Sequence, residues 1–176
     1  MSAANLERSK TLGIVGVGVM GGGIAANLLK GGADLVVYDA NPARVQHFAS
    51  LGAYVASSAA DVAKQASTLI SMVETTAQSE EVIMGPNGFQ SAAQPGDVIL
   101  SMATIDPLAV KEWHKELKAR GIDLIDAPVS GGQDRRAATS LLYVAGTPGW
   151  WSGSSRCSTA APARCSTWAR WARAWR

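Results

Sequence analysis

The chain has 176 residues, of which 47% are hydrophobic and 17% charged, a balance typical of a globular protein. The net charge of +2 is unevenly distributed, because residues 147–176 contain five arginines, no lysine and no acidic residue. Residues 1–146 therefore carry 11 basic and 14 acidic side chains, a net charge of −3. An acidic main segment argues against nucleic acid as the partner.

The first ten residues form a polar N-terminal extension without the apolar run of a signal peptide. No stretch of the chain approaches the roughly 18 apolar residues that a membrane span needs. Both cysteines, Cys157 and Cys165, lie in the last segment, so we expect no disulfide and no cysteine-based metal site in the folded part. These features predict a soluble cytoplasmic protein.

Apolar strands alternate with helical patterns from residue 11 to about residue 128. The predicted strands are Thr11–Val15, Leu35–Tyr38, Thr68–Val73, Asp97–Ser101 and Ile122–Asp126. The predicted helices are Val19–Lys30, one starting at Asn41-Pro42, Ala59–Lys64 after a cap at Ser57 or Ser58, Gln78–Met84 and Pro107–Arg120. This alternation predicts an α/β fold, a doubly wound parallel sheet covered by helices on both faces.

The first predicted strand runs into a glycine-rich turn that opens the first helix. Its residues, in the pattern G-x-G-x-x-G, are Gly16, Val17, Gly18, Val19, Met20 and Gly21. The first glycine makes the tight turn, the second lets the backbone approach a pyrophosphate, and the third lets helix and strand pack closely. The helix N-terminus offers free N–H groups to the phosphates. This context predicts a Rossmann-type domain that binds a dinucleotide.

Asp39 ends the second predicted strand, 23 residues after Gly16. A carboxylate there accepts hydrogen bonds from the adenosine ribose and repels a 2′-phosphate. The nearest basic residue, Arg44, follows one helical turn later, so we expect no basic group beside the carboxylate and predict NAD rather than NADP. The alternative is that Asp39 only caps the turn at Asn41-Pro42.

Three segments resemble, in order, the 3-hydroxyisobutyrate dehydrogenase family, the β-hydroxyacid dehydrogenases, whose fold is shared with 6-phosphogluconate dehydrogenase. They are residues 14–28, reading IVGVGVMGGGIAANL, residues 103–107, reading ATIDP, and residues 126–132, reading DAPVSGG. The resemblance implies NAD-linked oxidation of a small hydroxy-carboxylate such as 3-hydroxyisobutyrate, tartronate semialdehyde in the reverse direction, or threonate. It also implies a homo-oligomer and a second, all-helical domain in the intact family protein.

The resemblance assigns roles to residues outside the glycine turn. Thr104 and the strand-end backbone at Val73 would contact the cofactor, while Ser130, Gly131 and Gly132 would hold the substrate carboxylate. A hydroxyl beside successive backbone N–H groups can form an anion-binding concavity, which agrees with the last role. The alternatives are that Thr104 caps the helix at Pro107 and that residues 130–132 form an ordinary glycine turn.

The sequence departs from the family pattern at three places. Glu74 follows Val73 where the family has Leu-Pro, and residues 135–141 lack the family's glycines. The family's catalytic lysine, a general acid/base, has no counterpart, since the last lysine is Lys118 on the final predicted helix. His47 and His114 look like surface positions of helices without metal-binding partners.

We therefore expect an oxidoreductase by family with little or no turnover in this chain. Two alternatives stay open: a non-catalytic NAD(P)-binding module, and a relative of the imine reductases, which lack the lysine. The complete motif at residues 126–132 indicates a carboxylate substrate and counts against the second alternative.

Residues 147–176 differ in character from residues 11–146, the predicted dinucleotide-binding domain. Five of the six tryptophans lie in this tail, mixed with arginine, alanine, serine and cysteine and without a helical or strand period. Tryptophan has one codon, so a one-base shift turns each Trp-Ala pair into glycine. In the shifted frame, with G/C-rich codons, residues 168–174 resemble the G-P-V-G-x-G segment that precedes the family's lysine. We interpret the tail as frameshifted and disordered; the alternative is a basic, tryptophan-rich interaction tail.

Sequencing the gene across the codons for residues 140–176 and the bases that follow tests this interpretation. We expect one base gained or lost near residues 146–149, after which the restored frame reads on to a lysine. An unaltered frame would contradict the frameshift and leave the tail as part of the gene product.

Overall fold

The computed structural model describes residues 6–130 and 141–142. Six strands form one parallel sheet in the order β3-β2-β1-β4-β5-β6. They are β1 (Leu12–Val15), β2 (Leu35–Tyr38), β3 (Tyr54–Val55), β4 (Thr68–Ser71), β5 (Val98–Ser101) and β6 (Asp123–Asp126). A separate antiparallel pair joins β7 (Val129–Ser130) to β8 (Leu141–Leu142). The strand order is that of a Rossmann sheet, which confirms the predicted doubly wound fold.

Five helices cover the two faces of the sheet. They are α1 (Val19–Lys30), α2 (Pro42–Ser50), α3 (Ala59–Gln65), α4 (Thr76–Met84) and α5 (Pro107–Ala119). On one face, Ile24 and Leu28 of α1 and Phe48 of α2 pack with alternate residues of the central strands. On the other face, α3, α4 and α5 pack on the remaining strand residues, with Trp113 and Leu117 buried. Burial on both faces explains why the strands are almost continuously apolar.

Side-chain caps fix where four of the helices begin. Asn41 caps α2 with Pro42 at the first helical position, and Ser58 caps α3. The predicted start of α4 at Gln78 is wrong by two residues, because Thr75 and Gln78 form a capping box and the helix begins at Thr76. Gln78 is the third residue of the helix, and its role became clear only from its pairing with the N-cap residue Thr75.

Two strand predictions also need correction. Strand β4 ends at Ser71 rather than at Val73, so Val73 belongs to the loop that follows the strand. Strand β3 was not predicted, because its two residues give no alternating pattern; it exists through pairing with β2. The predicted tail, residues 147–176, and its expected disorder lie outside the described residues.

The N-terminal extension is attached to the sheet by Arg8. Its guanidinium donates to both carboxylate oxygens of Asp97, with Nη1 at 2.9 Å from Oδ1, and to the Ala63 carbonyl at 2.9 Å. Asp97 lies just before β5 and its side chain is buried, so the ion pair fixes the extension at the amino edge of the sheet. That edge is opposite the carboxyl ends of the strands, where ligands of such sheets bind.

Within the described part of the chain, no helix combines the length and apolar character needed to cross a membrane.

Asp61 supplies a pH-dependent stabilisation of α3. Its carboxylate accepts hydrogen bonds from the Ser57 backbone N–H at 2.9 Å, the Ser57 hydroxyl at 3.0 Å and the Gln65 amide at 3.1 Å. The Ser57 backbone bond is the largest cause that lowers the pKa of Asp61 below its ordinary value of 3.8. A lowered pKa stabilises the fold above the unfolded-state pKa, and this contribution disappears as the pH falls through the folded-state pKa.

We expect Asp61→Asn to lower the free energy of unfolding at pH 7 by about 1 kcal/mol, since it removes the charged acceptor. The difference from the unaltered chain should shrink between pH 5 and pH 3 in urea unfolding experiments, roughly the range in which carboxylates protonate. Asp34→Asn, at an exposed position before β2, is the matched control. A difference that stays constant with pH would contradict this account.

Candidate functional site

The glycine turn between β1 and α1 lies at the carboxyl edge of the sheet, and two of its glycines are required by close packing. Gly16 has a φ of 89°, and a Cβ placed on it would lie 2.3 Å from the Met72 carbonyl oxygen. A Cβ on Gly21 would lie 1.8 Å from the Gly16 carbonyl oxygen. The predicted roles of these two glycines, tight turn and close approach of helix to strand, are therefore explained by the geometry.

Gly18 differs from the other two glycines because no close contact with a described residue excludes a side chain there. Its φ of −65° lies outside the left-handed region, and a Cβ there would meet only the exposed guanidinium of Arg44, at 3.5 Å, among the described residues. Gly18 is the N-cap residue of α1, and it has no side chain that could accept a hydrogen bond from the first-turn N–H groups. The first-turn N–H groups have no acceptor within the helix, so the missing side chain leaves room for a ligand to reach them.

The other residues of the turn divide between the interior and the surface. Val17 is buried, and its backbone N–H donates to Asp39 Oδ2 at 2.9 Å. Val19 is 54% exposed and Met20 is half-buried, both in the first turn of α1. The amide of Val17 is thus used inside the protein, whereas the first-turn amides that follow Gly18 have no acceptor within the helix.

Asp39 connects the end of β2 to the glycine turn. Its buried carboxylate accepts from the Val17 N–H through Oδ2 and from the Asn41 N–H, at 2.8 Å, through Oδ1. The alternative that Asp39 only caps the turn at Asn41 is therefore incomplete, since Asp39 also holds Val17. The two backbone N–H donors fix the orientation of the carboxylate and offset part of its negative charge.

Arg44 corrects one expectation from the sequence. Its Nη1 lies 3.5 Å from Asp39 Oδ2, so a basic group does stand beside the carboxylate. Arg44 is in the first turn of α2, and helix side chains are tilted toward the helix N-terminus, so the guanidinium extends back to the end of β2. The spacing of Asp39 and Arg44 along the chain does not show this contact, whereas the tilt of the side chain explains it.

Val73 lies on the loop after β4, the strand next to β1, and Thr104 lies on the loop after β5, one strand further along the sheet. Val73 Cγ1 lies 3.1 Å from the position of a Cβ on Gly16. Thr104 is exposed, and the alternative that it caps α5 is wrong, because Asp106 is the cap and accepts from the Leu108 N–H at 2.8 Å. Thr104 is therefore free of that local role.

A row of polar side chains at the same edge was not predicted. Ser71, Ser101 and Asp126 end neighbouring strands and pair in register on one face of the sheet. The hydroxyls of Ser71, Ser101 and Ser79 of α4 are buried and have no hydrogen-bond partner among the described residues. Burial also raises the pKa of the Asp126 carboxyl above its ordinary value. The signal in the sequence is a polar residue at the last position of three apolar strands.

Of the three predicted substrate residues, Ser130 is the one that the structure describes. It ends strand β7, four residues after the half-buried Asp126, and its backbone pairs with Leu141. Gly131 and Gly132 lie outside the described residues.

The histidines carry no metal site within the described residues, where no group of three potential ligands occurs. His47 is exposed, as predicted, but His114 is half-buried, and its Nδ1 lies 3.2 Å from the Leu124 carbonyl oxygen. The prediction of a surface position for His114 is therefore wrong; its contact is with the neighbouring strand β6.

Comparison with known proteins identifies a family for this arrangement. Residues 11–165 match the family described as the NAD binding domain of 6-phosphogluconate dehydrogenase. The match includes the whole parallel sheet and also the first part of the tail that begins at residue 147.

Full-length relatives show similar sequences and structures. A mitochondrial 3-hydroxyisobutyrate dehydrogenase of Bos taurus is 39% identical over 78% of this chain and 41% of its own length. An L-threonate dehydrogenase of Cupriavidus necator is 32% identical over 80% of this chain and 47% of its own. The crystal structure of a 3-hydroxyisobutyrate dehydrogenase from Salmonella typhimurium has a TM-score of 0.76 at 26% identity, covering 93% of this chain and 53% of that one. The chain thus spans about half the length of these relatives.

Proposed function

This chain belongs to the family of NAD-binding domains of 6-phosphogluconate dehydrogenase, and on that premise we propose that it holds NAD as the cofactor-binding part of a β-hydroxyacid dehydrogenase. The observation that carries the proposal is Gly18. No described residue excludes a side chain there, so the missing side chain is best explained by a ligand that lies close to the protein backbone at the start of α1.

Each part of the site has a role in this proposal. The N–H groups after Gly18 and the positive end of α1 bind the pyrophosphate. Asp39, held by two backbone donors, accepts hydrogen bonds from the adenosine ribose hydroxyls. Val73 and Thr104, on the next two loops along the carboxyl edge, would contact the cofactor beyond the pyrophosphate.

We propose a small hydroxy-carboxylate as the substrate of the whole protein. The support is the similarity to relatives named 3-hydroxyisobutyrate dehydrogenase and L-threonate dehydrogenase. Bound NAD would accept a hydride from the carbinol carbon. Ser130, Gly131 and Gly132 would hold the carboxylate through a hydroxyl and successive backbone N–H groups.

None of the described residues is an evident general acid/base for that reaction. The last lysine, Lys118, lies at the C-terminal end of α5, and its Nζ is 2.6 Å from Asp123 Oδ1 at the start of β6. That position is at the amino edge of the sheet, away from the candidate site. We therefore propose that these 176 residues alone bind NAD without catalysing hydride transfer.

Gly18→Ala tests the cofactor site. We expect NAD affinity, measured by isothermal titration calorimetry, to fall at least about tenfold, which corresponds to about 1.4 kcal/mol. The free energy of unfolding should fall by no more than about 1 kcal/mol, the cost of alanine at an N-cap, because the added methyl group otherwise meets only an exposed guanidinium among the described residues.

Gly21→Ala is the matched control, since its Cβ would collide with the Gly16 carbonyl oxygen. It should lower the free energy of unfolding by about 2 kcal/mol or more, a cost typical of overpacking. Unchanged NAD affinity in Gly18→Ala, with the fold intact by circular dichroism, would contradict the proposed site.

Turnover is the second test. The purified 176-residue chain, with its NAD affinity established, is incubated with NAD and 3-hydroxyisobutyrate, and NADH formation is followed at 340 nm. We expect no NADH above the rate of a blank without protein. Formation of NADH that scales with protein concentration would refute the proposal that the chain is non-catalytic.

A further inference from the structure

Three serine hydroxyls near the carboxyl edge of the sheet are buried without a hydrogen-bond partner among the described residues. They belong to Ser71 at the end of β4, Ser101 at the end of β5 and Ser79 in α4, and all three residues are 0% exposed. A buried hydroxyl without a partner costs free energy, so native proteins pair nearly all such groups with protein atoms or with ordered water. The three hydroxyls therefore need a partner that lies within reach of each.

The spacing of the strands leaves room for such a partner between Ser71 and Ser101. The two residues are in register on neighbouring parallel strands, and both point to the face on which Leu69 and Ile99 are buried, two residues earlier. Neighbouring strands lie about 4.8 Å apart, which exceeds the roughly 2.8 Å of an O–H···O hydrogen bond but is less than twice that length. One water molecule between the hydroxyls can therefore bond to both.

Ser79 lies over the same place. Helix α4 begins at the carboxyl edge and runs back across the sheet, and its buried Ile83 belongs to the core cluster that contains Leu69 and Ile99. Ser79 is on the same helix face as Ile83, one turn or about 5.4 Å nearer the carboxyl edge. Two residues of a strand rise about 6.6 Å, so Ser79 reaches the level of the two serines that end the strands.

We propose that the hydroxyls of Ser71, Ser79 and Ser101 together bind one buried water molecule, which joins α4 to the carboxyl ends of β4 and β5. A buried water usually makes about three hydrogen bonds, and a hydroxyl can donate or accept each of them. The backbone carbonyls of the two strand-end serines have other partners, since Ser71 accepts from the Met102 N–H at 2.9 Å and Ser101 from the Ala127 N–H at 2.8 Å. The side chains are thus the groups that the site offers to water.

The water supports the loop that carries Thr104. That loop is also joined directly to the start of α4, because the Asp106 N–H donates to Thr76 Oγ1 at 3.1 Å. The water adds a second connection one turn further into the helix, from Ser79 to the end of β5. This site goes beyond the proposed function and belongs to the free protein, so its test does not depend on NAD binding.

A double-variant cycle on the full 176-residue chain tests the shared water. We expect Ser71→Ala and Ser101→Ala each to raise the equilibrium constant of unfolding about fivefold in urea titrations, an effect of the size of one hydrogen bond. The double variant should raise it about tenfold rather than the roughly 25-fold of two independent sites, because loss of the first partner already weakens the water. Ser79→Ala combined with either variant should likewise give less than the product of the single effects.

Thr11→Val is the matched control, since it removes a buried hydroxyl that has a protein acceptor. Thr11 Oγ1 donates to the Glu7 carbonyl at 2.9 Å, just before β1 and at the opposite edge of the sheet from the serines. In combination with Ser71→Ala it should act independently, so that the two effects on the unfolding constant multiply.

Three outcomes would overturn the inference. Stabilisation by the single serine variants would mean that the hydroxyls are unpaired in the folded protein, because removal of an unpaired buried hydroxyl also removes its desolvation cost. Multiplying effects in the serine double variant would mean that the two hydroxyls share no partner. The third outcome needs no variant: a crystal structure of the unaltered chain should place a water oxygen within about 3 Å of all three Oγ atoms, and no density there, where other buried waters are visible, would refute the site.

Discussion

The packing of α1 against the end of β1 determines where every other part of the candidate site can lie. The helix begins so close to the strand that a Cβ on Gly21 would lie 1.8 Å from the Gly16 carbonyl oxygen. Gly16 in turn needs its positive φ, since a Cβ there would overlap the Met72 carbonyl on the neighbouring strand. These contacts hold the N-terminus of α1 at the carboxyl end of β1, next to the point between β1 and β4 where the strand order reverses, the position at which doubly wound sheets bind ligands.

Asp39 extends this constraint from the first strand to the second. Because its carboxylate accepts from Val17 on one side and Asn41 on the other, the glycine turn and the start of α2 are fixed relative to each other. A buried carboxylate is costly unless it is well hydrogen-bonded, and the two backbone donors meet that requirement. The same carboxylate is assigned to the proposed ribose contact, so in that proposal one residue serves both the fold and the cofactor.

The sequence predicted those features of the fold for which a residue type has one predominant structural role. Glycine spacing, apolar runs and the cap at Asn41 predicted the strands, the turn and the order of elements, because each is a local property of the chain. The contact of Arg44 with Asp39 and the row of polar side chains at Ser71 and Ser101 were not predicted, because they are not local properties of the chain. Their significance comes from neighbours on other strands or from the direction of a side chain in a helix, and neither is encoded in local spacing. Strand β3 was not predicted, because two residues are too few to show the alternation of apolar and polar side chains that identifies a strand.

The candidate site therefore combines two kinds of group with different mobility. The backbone donors at the start of α1 and the carboxylate of Asp39 are held by the sheet, so they are preorganised and lose little entropy when a ligand binds. Arg44 projects from the exposed side of α2 and makes one loose contact, so its conformation can respond to what occupies the opening. In the proposed site the rigid groups therefore set the geometry that a ligand meets, while the exposed guanidinium contributes a positive charge whose position can adjust.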